Sequence, residues 1–401
     1  MESRIGWRRA LHAAREYDVT VMYGDGSPAS ALRQAAREQG AEGRIDFLPV
    51  EHSRVSRLLC RSAATYYAGY DLWHRRVYRR AMGVHQRRPF DLVHQVNFTG
   101  YRQPGDCWRL PAPFIWGPVG GTQGPPLAYL PELGLAGAWT ELWRRAVNAY
   151  QMRYCPHVRG AARKASVVLS ATRRVQSDLK RCGGIESEVE LETALDYEPL
   201  GPRPPRPEGQ PLRILWAGRH RSWKALPLLL KALARLPESV DYRVRVLGVG
   251  DRTSAWLAQA ERLGVADRIE WLGWPTYRET LPHYRWADVF AFTSVRDTSG
   301  TGLLEALAAG APIVGLDHQG AADLMTPDCA MPIAATGPED SIEGFAAALT
   351  RLAGDPDLLA RLSEGARERS FTLGWEEKAE PMLRRYRLAL AESPATADSA
   401  P

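Results

Sequence analysis

Short apolar runs rich in Val, Ile and Leu alternate with amphipathic stretches along nearly the whole chain. The runs predict strands at 18–23, 44–48, 91–96, 113–116, 166–170 and 188–191 in the first half. In the second half they predict strands at 212–217, 242–247, 268–272, 287–292, 312–316 and 330–333. Helical patterns lie between most of them, as over 225–236, 253–263 and 302–309. Such alternation specifies an α/β chain whose parallel sheets are covered by helices on both faces.

The pattern breaks at 197–211, YEPLGPRPPRPEGQP, where six prolines exclude both helix and central strand. This linker divides two Rossmann-like domains, 1–196 and 212–372, expected to face each other across a cleft. A ligand between them would sit at the carboxyl ends of both sets of strands. Residues 373–392 read as a further helix packing back on the first domain, and 393–401 have the composition of a disordered tail. A right-handed βαβ unit needs a strand before its helix. The helical pattern begins near Ile5 with none ahead of it, so a first strand and glycine-rich turn, roughly a dozen residues, are expected upstream.

A length of 401 residues fits two domains, and 45% hydrophobic with 24% charged residues is ordinary for a globular chain. No apolar run reaches the ~18 residues that a membrane-spanning helix needs, and the N-terminus has no signal-peptide core. Cys60, Cys107, Cys155, Cys182 and Cys329 are dispersed, which points to reduced thiols in the cytoplasm. The histidines show no metal-ligand spacing, so no metal or cofactor is expected. The net charge of +6 comes with a general excess of Arg over Lys. Without a zinc-finger or RNP-type pattern it does not indicate nucleic acid.

Two segments carry chemistry. The first, SVRDTSGTGLLEALAAG at 294–310, follows a strand and leads into a helix. Ser299, Gly300, Thr301 and Gly302 are small, so their backbone N–H groups can approach a pyrophosphate at the positive end of that helix. Glu305, expected in the first helical turn, can reach past the phosphates to a ribose diol. The competing reading is a plain strand–turn–helix with Glu305 favouring the dipole. The second segment, ILWAGRHRSWKALPLLL at 214–230, places Arg219 and Lys224 in the loop leaving a strand. A planar fork and a mobile point charge suit two neighbouring phosphates of a leaving diphosphate. Taken alone, that loop reads as solvated basic surface.

In these residues the chain resembles the retaining nucleotide-sugar glycosyltransferases of family 4, with their two-domain GT-B fold. The matching elements are Gly218-Arg219, Lys224, Gly248-Val249-Gly250-Asp251, Asp297, Glu305-Ala306 and Gly310-Ala311-Pro312, in order over about 212–370. The resemblance implies that Arg219 and Lys224 hold the donor diphosphate, with Gly250 in the neighbouring turn. It implies that Glu305 binds the ribose and that Asp297, where relatives usually carry Glu, lies near the transferred sugar. It further implies metal-independent transfer with retention of configuration, and the sequence leaves the acceptor open among a glycan, a lipid-linked group and a small molecule.

The N-terminal half resembles the family less closely, through 91–102 and 113–126. There His94 and Asn97 leave a strand toward the cleft, and Gly120 and Gly121 form a loop able to contact donor or acceptor through backbone amides. A histidine in a strand-end hydrogen bond is the other reading of His94. Two further alternatives stand: an inactive binding protein of this fold, and a sugar phosphorylase or nucleotide-sugar epimerase. Between Arg54 and Arg88, nine arginines and one acid are interleaved with Tyr66, Tyr67, Tyr70, Trp73 and Tyr78. This stretch reads either as peripheral contact with anionic lipid at the inner face of the membrane or as exposed helix.

Overall fold

The computed structural model describes residues 2–392, apart from 25, 63–64, 97–98, 197–198, 204–205 and 208. All twelve predicted strands form: β1 Val19–Tyr23, β2 Ile45–Pro49, β3 Val93–Gln95, β4 Phe114–Val119, β5 Ala165–Ser170 and β6 Glu188–Val189 in the first half. The second half carries β7 Leu212–Ala217, β8 Tyr242–Leu247, β9 Ile269–Trp271, β10 Val289–Phe292, β11 Ile313–Asp317 and β12 Ala330–Ala334.

The second-half strands make one parallel sheet in the order β12-β11-β10-β7-β8-β9. This is a doubly wound sheet whose order reverses between β7 and β10. Its central strands β10 and β11 are apolar without alternation because helices cover both faces, whereas β8 toward the edge alternates with Arg243 and Arg245. Ile214, Leu215, Val289 and Phe290 are accordingly inaccessible to solvent. One face packs on the helices Leu226–Leu233 and Pro338–Gly354, the other on Thr301–Ala308.

In the first half the parallel strands form two sheets, β1-β2 and β3-β4-β5-β6. Among the described residues side chains, not backbone pairing, join them: Met22 of β1 and Val93 of β3 pack on one cluster around Trp73 and Val77. The helix Glu376–Ala391 returns to this half and seats Met382, Leu383 and Tyr386 against Ile115 and Leu169. A buried ion cluster fastens it. The Glu190 carboxylate accepts from Arg9 at 3.0 Å, Arg385 at 3.0 Å and Lys378 at 3.4 Å. Burial alone would raise the pKa of Glu190, but Lys378, Arg9 and Arg385 outweigh it and hold it down at about 2.

The region 54–88 becomes the helices Arg54–Leu59 and Tyr66–His85. Its aromatic residues turn inward more than its arginines suggested. Trp73 is buried and donates Nε1–H to the Val50 carbonyl at 2.6 Å, and Tyr70 and Tyr78 are half-buried.

Candidate functional site

Both chemistry-bearing segments leave the carboxyl ends of β7 and β10, the two strands flanking the reversal of order. In open α/β sheets that crevice is where ligands bind. The β7 loop is set by its neighbour after β8. The Gly218 N–H donates to the Leu247 carbonyl at 3.0 Å, His220 N–H to the Val249 carbonyl at 3.1 Å, and Arg252 N–H to the His220 carbonyl at 3.1 Å. The two loops touch backbone to backbone. A Cβ at Gly248 (φ 124°) would overlap the Gly218 carbonyl oxygen, and one at Gly250 would overlap that of His220. The Gly250 N–H itself donates to Thr253 Oγ1 at 3.0 Å.

Within the crevice the Lys224 ammonium pairs with the Asp297 carboxylate, their side chains 22% and 21% exposed. The other Asp297 oxygen accepts the Thr298 N–H at 3.0 Å, and the Asp297 N–H donates to Gln319 Oε1 at 2.7 Å. Arg219 makes no ion pair among the described residues. Its guanidinium lies 5.9 Å over the exposed Trp274 ring. Ala225 (φ 48°) and Gln319 (φ 54°) are non-glycine residues in the left-handed region, and they adjoin Lys224 and Asp297 respectively. Such backbone strain persists where surrounding structure enforces it, and it concentrates at ligand clamps.

The small-residue turn starts the helix Thr301–Ala308, with Gly300 (φ 52°) at its N-cap. This start is one residue earlier than expected, which moves Glu305 from the first helical turn into the second. Burial raises the pKa of Glu305, opposed by a hydrogen bond from Tyr284. The Ser299 hydroxyl donates to the Glu192 carboxylate, and a Cβ at Gly302 would meet the Tyr284 hydroxyl at 3.1 Å. The helix closes in a Schellman arrangement, Gly310 N–H to Leu307 and Ala311 N–H to Ala306, both at 2.9 Å. Asp355 of the sole Asp-x-Asp sequence caps the helix Pro356–Phe371 through the Leu358 N–H at 2.8 Å. Among the described residues no three His, Cys, Asp or Glu side chains gather as a metal site.

Across the cleft, both ring nitrogens of His94 are engaged. Its Nε2 bonds the Gly117 carbonyl at 2.8 Å and its Nδ1 the Tyr386 hydroxyl at 2.8 Å. A carbonyl only accepts, so Nε2 carries the proton and Nδ1 accepts from Tyr386. Burial, with Arg9 adding to it, pushes the His94 pKa down to about 3. Asn97 lies outside the described residues. The amides of Gly120 and Gly121 are already donated, to the Thr99 carbonyl and to Gln123 Oε1. Gly120 instead backs onto the donor-side turn, where a Cβ would meet Thr298 Cγ2 at 3.0 Å.

Three residues that the sequence reading did not single out tie the cleft together. Gln319 also donates Nε2–H to the Gly124 carbonyl at 2.8 Å, bridging Asp297 to the first domain. Arg296 stacks 4.1 Å over Trp223 and pairs with Glu141 of the helix Gly134–Tyr154. Burial and Arg144 lower the pKa of Arg296 to about 10. Glu192, through Ser299, is the third. The Arg296–Glu141 pair spans 155 residues, so no local spacing announces it.

Residues 211–355 match the family profile described as "Glycosyl transferases group 1". Among curated proteins, the chain is 33% identical over 182 residues to a D-inositol 3-phosphate glycosyltransferase of Streptomyces bingchenggensis, covering 41% of this chain and 38% of the relative. The chain spans about half, or less, of the length of the curated relatives it matches. Whole-chain likeness comes from solved structures. HepE of Anabaena in complex with UDP aligns at TM-score 0.58 and 15% identity over 96% of both chains. A glycosyltransferase of Rickettsia africae aligns at TM-score 0.62 and 13% identity over 98% of this chain and 95% of that one. The chain therefore has the GT-B fold, two Rossmann-like domains about a cleft, and its second domain is similar to the group 1 glycosyl transferases.

Proposed function

We propose that the protein is a glycosyltransferase, taking a sugar from a nucleotide-diphosphate donor held in the crevice between the ends of β7 and β10. The observation that carries this reading is the meeting, at the switch point, of a two-cation loop with a small-residue helix start. Arg219 and Lys224 supply charge for the diphosphate, and the amides of 299–302 supply donors at a positive helix end. The HepE structure contains UDP, which makes uridine the first base to try.

In the reaction the bond from the anomeric carbon to the donor phosphate oxygen breaks, and the nucleoside diphosphate departs with the electron pair. An acceptor hydroxyl forms the new bond to that carbon, and its proton passes to the departing phosphate. The two cations stabilise charge that grows on the leaving group, which lowers the barrier. Glu305 is assigned to the ribose hydroxyls and Asp297 to the sugar. The geometry at His94 supports a positioning role, because both ring nitrogens are occupied. Retention of configuration and independence of metal are part of this proposal. Incubation with UDP-, GDP-, ADP- and dTDP-sugars, with release of nucleoside diphosphate followed, tests it. Release from one donor class above the buffer rate is expected. No release from any donor, with no nucleotide bound, would contradict it.

A further inference from the structure

The helix Gly134–Tyr154 is split lengthwise between two environments. Glu141, Asn148 and Met152 are buried, Glu141 in its pair with Arg296 of the second domain. On the other side Leu135, Trp139, Trp143, Tyr150 and Tyr154 are each more than half exposed, Leu135 at 94%. At about 100° per residue, these five fall within an arc roughly 100° wide, opposite Glu141. Over 21 residues they draw a stripe about 30 Å long. A contiguous apolar surface of this kind marks an interaction site.

Charge identifies the partner. Arg153 is exposed at the edge of the stripe and Arg145 is exposed on the flank toward Glu141, and neither makes an ion pair among the described residues. The one acid of the helix, Glu141, is buried in pairs with Arg144 and Arg296. The outward surface therefore offers Trp, Tyr and Leu with positive charge and no carboxylate. We propose that this helix docks the protein on an anionic lipid surface. Trp139 and Trp143 enter at headgroup level, Arg153 meets lipid phosphates at the stripe's edge, and Arg145 adds positive charge from the flank. A second copy of the chain would bring arginines against arginines with no exposed helix carboxylate to meet them. The 54–88 region is the weaker candidate, since Trp73 is buried there.

The inner face of the same helix holds the cleft loop. Asn148 donates to the Gly121 and Thr122 carbonyls at 3.4 and 3.1 Å, and Arg144 to the Gly121 carbonyl at 3.3 Å. A helix is about 10 Å across, so a docked membrane lies about one helix diameter from the cleft. Resting on the transferase reading, this favours an acceptor carried by lipid.

The test is flotation of the full chain with vesicles of phosphatidylcholine alone or with about 30% phosphatidylglycerol, at about 50 and 500 mM NaCl. Flotation with the anionic vesicles at low salt is expected. Trp139→Ala with Trp143→Ala should lower the bound fraction at least about tenfold, and Arg145→Glu with Arg153→Glu should abolish the anionic preference. Leu58→Glu with Tyr67→Glu should leave binding unchanged. All three double variants should keep the parent unfolding midpoint, because the residues are exposed. Absence of flotation, or binding indifferent to loss of both tryptophans, overturns the proposal. So does a dimer in sedimentation that the tryptophan variant dissociates. Donor cleavage is measured separately, so failure on lipid leaves the transferase reading standing.

Discussion

Asp297→Asn offers a sign test of the crevice. In the structure the Lys224 ammonium is engaged by the Asp297 carboxylate, and both side chains are about four-fifths covered. A diphosphate arriving at Lys224 must share or displace that carboxylate, and it meets a like charge beside it. An exposed ion pair is worth about 0.2–1 kcal/mol, and this pair's coverage puts it at the upper end. Asparagine keeps the shape and still offers a side-chain oxygen to the Thr298 N–H, so the turn should survive. Its affinity for the bare nucleoside diphosphate should tighten about three- to tenfold, which corresponds to about 0.7–1.4 kcal/mol. Turnover with the full donor should fall, because the carboxylate assigned to the sugar is gone. The assay is calorimetric titration with the nucleotide at low salt, followed by rates. If Asp297→Asn loses nucleotide affinity as severely as a Lys224 variant, the acid belongs to the nucleotide clamp and its assignment to the sugar is wrong.

Replacing Arg219 or Lys224 with Ala should raise the barrier by about 2.7–4 kcal/mol, read as at least a hundredfold loss of turnover; near-normal rates in both would reduce the loop to solvated surface. Glu305→Gln should weaken nucleoside-diphosphate binding by about 1.5–3 kcal/mol by calorimetry, while unchanged affinity would remove Glu305 from the ribose. Glu190→Gln leaves Arg9, Lys378 and Arg385 around a neutral group and should cost about 3–5 kcal/mol of stability in urea unfolding. The parent should also lose stability in acid. Glu190 has a folded pKa of about 2, depressed from 4.5, so the folded state holds fewer protons in that window. Its contribution is full above 4.5 and is lost as pH falls through about 2, a slope that Glu190→Gln should flatten in melts recorded against pH.

Much of the fold was legible because parallel strands buried on both faces must be short, apolar and interrupted by helices. Strand existence followed from that constraint alone. The division of the first half into two sheets did not, because hydrophobic period says where strands lie but not which edges pair. In the crevice, Arg219, Lys224 and the turn at 299–302 were visible as residue types at strand ends. Gly248 and Gly250 entered through the family resemblance alone, and the structure supplies their reason in the backbone contact with Gly218 and His220. His94 had two sequence readings. The structure shows the hydrogen-bonded one, through Tyr386, which lies 292 residues away. Gln319 was invisible because its part depends on a left-handed backbone and two long-range hydrogen bonds. Residue type gives no hint of either.

Docking of a nucleoside diphosphate between the ends of β7 and β10 is central to the proposed function. Amide hydrogen exchange, with and without a saturating nucleoside diphosphate, tests that claim most directly. Slowed exchange is predicted at 218–225, 248–252 and 297–305, with the outer face of the helix Gly134–Tyr154 unaffected. The slowing should vanish when Arg219 and Lys224 are both alanine. Protection confined to other surfaces, or none with uridine, guanosine, adenosine or thymidine diphosphate, would contradict the account.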